Sequence, residues 1–307
     1  MYLGFDTSNY TTSVALFDGK NVIQQKKLLS VKEGERGLRQ SDAVFQHIVN
    51  MPQLMENLCY NNKGIKAVSV STRPRNTEGS YMPCFLVGFN TAKAVSTFNS
   101  CNLYETSHQI GHVLAALYSV GRLDLISEKF VAFHLSGGTT EALLVEPDEK
   151  EIIKATIIAK SLDLKAGQAV DRTGVLLGLK FPCGIELDKM SLQSSTEFKH
   201  KTSFKGLDCS LSGVENKVKK MIEQGANSCD IAKFTITYIC DTLDKMTENI
   251  IKMYGDLPLV YAGGVMSNTI IKDKMSNKYK ALFASPEFSC DNAAGIAIYG
   301  YLKENQI

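Results

Sequence analysis

The chain has 307 residues, 44% of them apolar and 21% charged, with a formal net charge of +2. These are the values of a soluble globular protein long enough for two domains, each burying its own core. No apolar run reaches membrane-spanning length, which excludes a transmembrane helix, and the near-neutral charge argues for no nucleic-acid partner beyond a local basic patch.

The opening MYLGFDTS enters a strand directly and lacks a basic n-region, so no signal peptide is expected. Strands are predicted near 2–7, 12–18 and 21–28, the last two joined by the turn Asp18-Gly19-Lys20. The polar stretch Lys32–Gln40, with Gly34 and Gly37, reads as a mobile loop. Ser41 is expected to cap a helix carrying Val44, Phe45, Ile48, Val49, Met51, Leu54, Met55 and Leu58. A strand at 67–71, a loop at 72–80, a helix near 84–98 and another beginning near His108 follow.

The second half repeats this order. Strands are predicted at 130–135, 140–146 and 151–159, with Pro147–Lys150 as a turn. Helices follow near 166–179, after Cys183, near 211–223 and near 228–254. A buried strand at 257–262, a helix, a short strand near 281–284 and a helix near 291–304 close the chain. Residues 5–16 and 133–144 also match directly. Phe5, Ser8, Thr11-Thr12 and Leu16 recur as Phe133, Ser136, Thr139-Thr140 and Leu144. Each copy is strand, small-residue turn, strand, and small residues let backbone amides face an anion. A β-β-β-α-β-α order occurring twice resembles the actin, hexokinase and Hsp70 superfamily, an α/β fold of two lobes around a cleft. The expected lobes are 1–127 plus 291–307, and 128–290 with helical insertions.

Eight cysteines (59, 84, 101, 183, 209, 229, 240, 290) are scattered without a CxxC pair. They read as reduced core thiols of a cytoplasmic protein, not as a disulfide or zinc framework. The sharpest metal signal is His108 and His112, which helical spacing places on one face one turn apart. The same spacing fits a helix-start pair bonded to backbone. A third ligand should be an acid or a histidine elsewhere. Asp291 stands before the last helix, where an N-cap is the commoner role. His134 ends a strand, where a core imidazole on a backbone carbonyl is the commoner role. Ser136-Gly137-Gly138 is an anion cradle or a simple hairpin turn. Tyr261-Ala262-Gly263-Gly264 followed by Asn268 allows close approach of a ring or phosphate, or is an ordinary strand-to-helix turn. Asp171 suits a surface pair with Arg172 or, facing the cleft, a ligand hydroxyl or amine, and Asp188 reads as a solvated helix-start acid. The Lys-rich stretches 199–205 and 216–220 read as solvated faces.

Six segments in order carry a resemblance: GFDTSNYTTSVALFDG, SHQIGHVLAALYS, FHLSGGTTEALLVE, AGQAVDRTGVLLGLKFPCG, YAGGVMSN and SPEFSCDNAAGIA. Over almost its full length the chain resembles the TsaD/Gcp family. These are the threonylcarbamoyl transferases of tRNA N6-threonylcarbamoyladenosine synthesis, once named O-sialoglycoprotein endopeptidases. The resemblance implies the two-lobed fold and one metal ion, iron or zinc, on His108, His112 and Asp291. It implies a ligand-binding turn at Leu135, Ser136, Gly137 and Gly138. Asp171, Gly184, Asp188 and Asn268, with Gly263 and Gly264, would contact an adenylate. His134 falls where some members carry a metal-binding Tyr, which makes it a further ligand candidate. An adenylate donor, tRNA and TsaB/TsaE-like proteins are the implied partners.

The first hairpin departs from the family. The usual Glu-Thr-Ser-Cys-Asp-Glu-Thr is here Asp6-Thr7-Ser8-Asn9-Tyr10-Thr11-Thr12. Asp6 keeps a shortened acid and is the candidate catalytic residue, while the paired carboxylates have become Tyr10 and Thr11. The family's Ala-Gly-Pro-Gly loop is replaced by 72–79, where Arg73 and Arg75 add phosphate-type donors. Thr139 replaces the usual residue after Ser-Gly-Gly. The expectation is a divergent paralogue acting as a metal-dependent carbamoyl-type transferase on tRNA or on another acceptor. A non-catalytic nucleotide- and metal-binding subunit of a tRNA-modification complex is the alternative. A sugar-kinase-like activity is weaker, and a protease is weakest because HExxH is missing.

Overall fold

The computed structural model describes residues 1–8, 10–31, 38–58 and 64–307. Asn9, the segment 32–37 of the expected loop, and Cys59 lie outside the described residues. In chain order the elements begin with β1 (Tyr2–Ser8), β2 (Thr11–Phe17), β3 (Val22–Leu28), α1 (Gln40–Asn57), β4 (Ala67–Arg73) and α2 (Phe85–Phe98). Next come β5 (Asn102–Ser107), α3 (His108–Ser119), β6 (Phe130–Leu135), β7 (Thr140–Asp148), β8 (Ile152–Lys160), α4 (Ala166–Leu176) and α5 (Gly184–Leu192). Then follow β9 (Ser203–Lys205), β10 (Asp208–Ser210), α6 (Gly213–Glu223), α7 (Ser228–Tyr254) and β11 (Leu259–Ala262). The last are α8 (Thr269–Lys278), β12 (Ala281–Phe283), α9 (Pro286–Ser289) and α10 (Ala294–Glu304).

The chain forms two compact units. One contains residues 1–128, 146–155 and 287–307, the other 129–145 and 156–286. The first has a five-stranded sheet ordered β3-β2-β1-β4-β5. β1 runs antiparallel to β2 and parallel to β4, and β4 runs parallel to β5. Every residue of β1 and β2 is buried, as expected for central strands covered on both faces. Leu3, Phe5, Val14, Leu16, Val68 and Val70 pack with Met51 and Leu54 of α1 and with Leu58 just after it. α10 crosses the sheet at Gly4, where a Cβ would overlap the backbone of Ala297.

The other sheet is ordered β12-β11-β6-β7-β8. β6 is antiparallel to β7 and parallel to β11, which is parallel to β12. Reading β1 as β6 and β4 as β11, the two sheets have the same order and directions. Phe133, Tyr261 and Phe283 stack across three adjacent strands, with centroids 4.5 and 5.1 Å apart. α7 covers this sheet, and its Thr247 hydroxyl lies 2.9 Å from the Tyr261 hydroxyl.

Several local expectations change. α1 starts at Gln40 with Arg39 at the cap position and no side-chain cap bond, so Ser41 belongs to the first turn. β5 is an additional strand; Asn102 to Glu105 are not buried, because an edge strand needs no apolar alternation on its open side. β9 and β10 add a short hairpin turned at Gly206, whose φ is 65°. α10 begins at Ala294, so Asp291 lies outside it. Of the cysteines described, seven are free thiols, and Cys84, Cys183, Cys209 and Cys240 are buried. Among the described residues no helix is long and apolar enough to cross a membrane.

Candidate functional site

The metal-type cluster is built where β5 ends and α3 begins. The Ser107 hydroxyl accepts from the Ile110 amide at 3.3 Å and caps α3. That cap makes His108 the first helical residue and puts His112 one turn above it. Their Nε2 atoms lie 2.9 Å apart. Asp291 Oδ1 stands 3.5 Å from His108 Nε2 and 3.3 Å from His112 Nε2. One ligand atom from each residue falls within 4.8 Å of the others, and no further residue joins this group among the described residues.

Asp291 reaches the pair because α10 lies against α3 at two glycines. A Cβ on Gly295 would overlap the Gly111 carbonyl, and a Cβ on Gly111 would meet the Ile296 side chain at 2.6 Å. The N-cap position of α10 is Ala293, not Asp291, and the Ala294 amide donates to Asn292 Oδ1 at 3.0 Å. Asp291 is thereby left for the histidines. Burial disfavours its charge, but the bonds from His108 and His112 hold its carboxyl well below the usual range.

Beneath the cluster lies the β1–β2 hairpin. Asp6 is fully buried, and both its oxygens stand 3.1 Å from His108 Nδ1. A carboxylate only accepts, so Nδ1 carries the proton. The Ser71 hydroxyl donates to Oδ1 of the same carboxylate. The Thr11 hydroxyl donates to Asp291 Oδ2 at 3.3 Å. Burial works against a charged His108, yet the carboxylates of Asp6 and Asp291 outweigh it and push its pKa up to about 10. Asp6, the candidate catalytic residue, therefore sits behind His108 with both oxygens engaged. Thr12 binds His47 Nδ1 at 2.8 Å, and Asn50 donates to Thr12 at 3.4 Å. Ser71 and Thr11 escape a reading of motifs. Ser71 lies inside β4, where the sequence carries no motif, and Thr11 marks itself only as a replaced acid.

The remaining predicted residues lie in the other unit and gather in three places. Ser136 closes its turn by donating to the Thr139 carbonyl at 2.7 Å and accepting from the Thr139 amide at 3.1 Å. This leaves Gly137 and Gly138 exposed, with nothing within 4 Å of a Cβ at either. Gly263 has φ 99° and packs on the Leu135 backbone, which brings the Gly263-Gly264 turn beside the Ser-Gly-Gly turn. Asn268 caps α8 and donates to Asp188 Oδ1 at 2.7 Å. Asp171 accepts from the Cys183 amide at 2.9 Å, next to Gly184, and burial raises its pKa. His134 is half-buried on β6, paired in register with Glu141 and Ala262. Arg73 is held within its own unit by Thr72 at 3.1 Å, Asn76 at 2.9 Å and Glu151 at 3.6 Å.

Comparison with known proteins bears on both fold and family. The chain is similar to solved structures of component A of (R)-2-hydroxyglutaryl-CoA dehydratase from Acidaminococcus fermentans. That match has a TM-score of 0.59 and 15% identity and covers 99% of this chain and 98% of the other. HypF from T. kodakarensis matches with a TM-score of 0.64 and 11% identity, over 99% of this chain and 47% of the other. A ROK hexokinase from Thermus thermophilus matches with a TM-score of 0.52 and 11% identity, over 100% and 99% of the two chains. These establish the actin/hexokinase/Hsp70-type fold. In sequence, the chain is 30% identical to a tRNA N6-adenosine threonylcarbamoyltransferase from Thermosipho africanus (strain TCF52B), covering 97% of this chain and 93% of the relative. The family model described as TsaD, tRNA N6-adenosine threonylcarbamoyltransferase, matches residues 21–298, a span that contains His108, His112 and Asp291 and starts after the divergent hairpin. With this match and this relative, the chain belongs to the tRNA N6-adenosine threonylcarbamoyltransferase (TsaD) family of enzymes.

Proposed function

We propose that this chain is a metal-dependent threonylcarbamoyl transferase that takes its group from an adenylate and places it on N6 of a tRNA adenosine. The observation that carries the reading is the convergence of His108, His112 and Asp291. Two imidazole nitrogens and a carboxylate oxygen, roughly 3 Å apart, match the edges of a coordination shell with bonds of about 2 Å. Zinc and iron(II) both accept this donor set. When bound, such an ion supplies Lewis-acid polarisation and a template for the carbamoyl and phosphate oxygens. In the transfer, N6 bonds to the carbamoyl carbon and gives up one proton to solvent, the bond from that carbon to the phosphate oxygen breaks, and AMP leaves with that bond's electron pair.

The proposed adenylate contacts are Leu135, Ser136, Gly137, Gly138, Asp171, Gly184, Asp188, Gly263, Gly264 and Asn268. Support comes from the open space at Gly137, Gly138, Gly184 and Gly264, none of which has the left-handed backbone that would require glycine. Asp188 and Asn268 are already joined, so a ribose or base would meet a pre-organised pair. We further propose a cytoplasmic location, in keeping with the free thiols, and lobes divided at 127/128 and 290/291. A TsaB/TsaE-like protein partner is also proposed. Support is the apolar outward face of α1, where Phe45, Ile48 and Val49 are exposed.

Purified protein is expected to hold about one equivalent of zinc or iron, lost in His108→Ala. Incubation with threonylcarbamoyl-adenylate and unmodified tRNA should give modified tRNA and AMP. A second reading, transfer to another acceptor, is favoured by Tyr10 and Thr11 standing where the family has acids. It predicts a folded, metal-loaded protein that leaves tRNA unmodified but releases AMP when a small thiol or alcohol is supplied. No AMP release with any acceptor would overturn the transferase reading.

A further inference from the structure

We infer that the β1–β2 hairpin serves to hold the metal ligands and does not supply a base: Asp6 fixes His108, Ser71 fixes Asp6, and Thr11 fixes Asp291. The inference rests on the metal reading of the cluster and adds its outer layer. Metal-binding imidazoles need their second nitrogen anchored, so that the lone pair of the first points at the ion and the ring does not turn. His108 has that anchor in Asp6, at 3.1 Å to each oxygen. Asp6 cannot swing away, because it is fully buried and Ser71 donates to its Oδ1. Its carboxylate is thus shared between a hydroxyl and an imidazole N–H, with no access to an acceptor.

The same hairpin serves the other side of the cluster. Thr11 stands 280 residues from Asp291 in the chain and donates to its Oδ2, while Oδ1 faces the two histidines. A hydroxyl suits this task. An acid at position 11 would place a second carboxylate against Asp291, and the two would repel unless one took a proton. Thr11 therefore marks a hairpin devoted to holding the ligands, and the loss of the family's acid at that position is compatible with an intact metal site. Asp6, Ser71 and Thr11 are positioning residues.

Asp6→Asn is the informative variant, because it keeps shape and changes one donor. Ser71 continues to donate to position 6, so the Asn oxygen turns toward Ser71 and the amide toward His108 Nδ1. That amide donates, which moves the imidazole proton to Nε2 and removes the lone pair the metal needs. Zinc affinity, measured by competition against a chromophoric chelator, is expected to fall about 10- to 100-fold in Asp6→Asn. Ser71→Ala and Thr11→Val should each give a smaller loss in the same direction. Melting of each metal-free variant shows whether it folds. Long-range 1H–15N spectra of the zinc-loaded wild type should show His108 protonated at Nδ1. Zinc affinity of Asp6→Asn within twofold of wild type, or a His108 proton on Nε2 in the loaded wild type, overturns the inference. If the wild type binds neither zinc nor iron(II), the metal reading itself fails. The Asp6 contact is then read in the metal-free protein as a slowly exchanging downfield Nδ1 proton, lost in Asp6→Asn. Its absence from wild type overturns the inference as well.

Discussion

Gly138 separates packing from binding at a single residue. Its backbone does not need glycine, and a Cβ there would meet nothing within 4 Å. Gly138→Ala should therefore leave unfolding free energy within about 1 kcal/mol of wild type. If the turn receives the phosphate, the added methyl should weaken binding of an adenine nucleotide about tenfold, about 1.4 kcal/mol. Unchanged affinity in calorimetry would remove this turn from the binding surface. His200 tests pH dependence at the same scale. It packs on Phe234 and Tyr238, with ring centroids 4.9 and 5.2 Å away, and its Nε2 lies 2.8 Å from the Thr237 hydroxyl. Burial lowers its pKa; Asp241 opposes that shift, and Lys217 and Lys274 add to it. The unfolded imidazole titrates at about 6.5, so the unfolded chain takes up the proton first as pH falls. The stability contributed by neutral His200 is present above that value and lost below it. Melting midpoints between pH 7.5 and 5 should fall more steeply in wild type than in His200→Gln, and parallel curves would contradict the assignment.

Among elements, the contact between α3 and α10 decides the geometry of the proposed metal site. The His108/His112 spacing is readable in any helix, but a third ligand depends on how closely another segment approaches that face. Gly111 and Gly295 set the approach, since a Cβ on Gly295 would overlap the Gly111 carbonyl. Gly295→Ala should cost about 1–3 kcal/mol of stability, because neither backbone can yield without moving its helix. It should also weaken zinc binding by moving Asp291 from the pair. Zinc affinity equal to wild type in folded Gly295→Ala would show that the ligands do not depend on this contact. The central strands and long helices follow from periodicity, as with α7, whose Ser228–Tyr254 span matches the apolar spacing. β5 does not, because its polar edge position removes the pattern that marks a strand. The Ser41 cap fails for a related reason. A cap is chosen by backbone geometry at one residue, and α1 opens one residue before Ser41 with no side-chain bond.

For the whole molecule, duplication and family membership lead to one decisive measurement. A strain depleted of its own threonylcarbamoyl transferase should recover the tRNA modification when this chain is expressed. Failure with folded, metal-loaded protein would assign it another acceptor. The sequence by itself determined the duplicated α/β architecture, the family, the His pair and the small-residue turns. All are local: hydrophobic alternation, helical spacing and glycine-rich turns are written over a few consecutive residues. For Asp291, which the family resemblance already sets beside the histidines, tertiary structure supplied the approach to both Nε2 atoms, and it alone decided that Asp6 sits behind His108. It alone decided that Ser71 and Thr11 belong to the same cluster. Those relations join positions as much as 280 residues apart. They depend on the distance at which α10 settles on α3 and β1 on β4, which packing sets and no local pattern records.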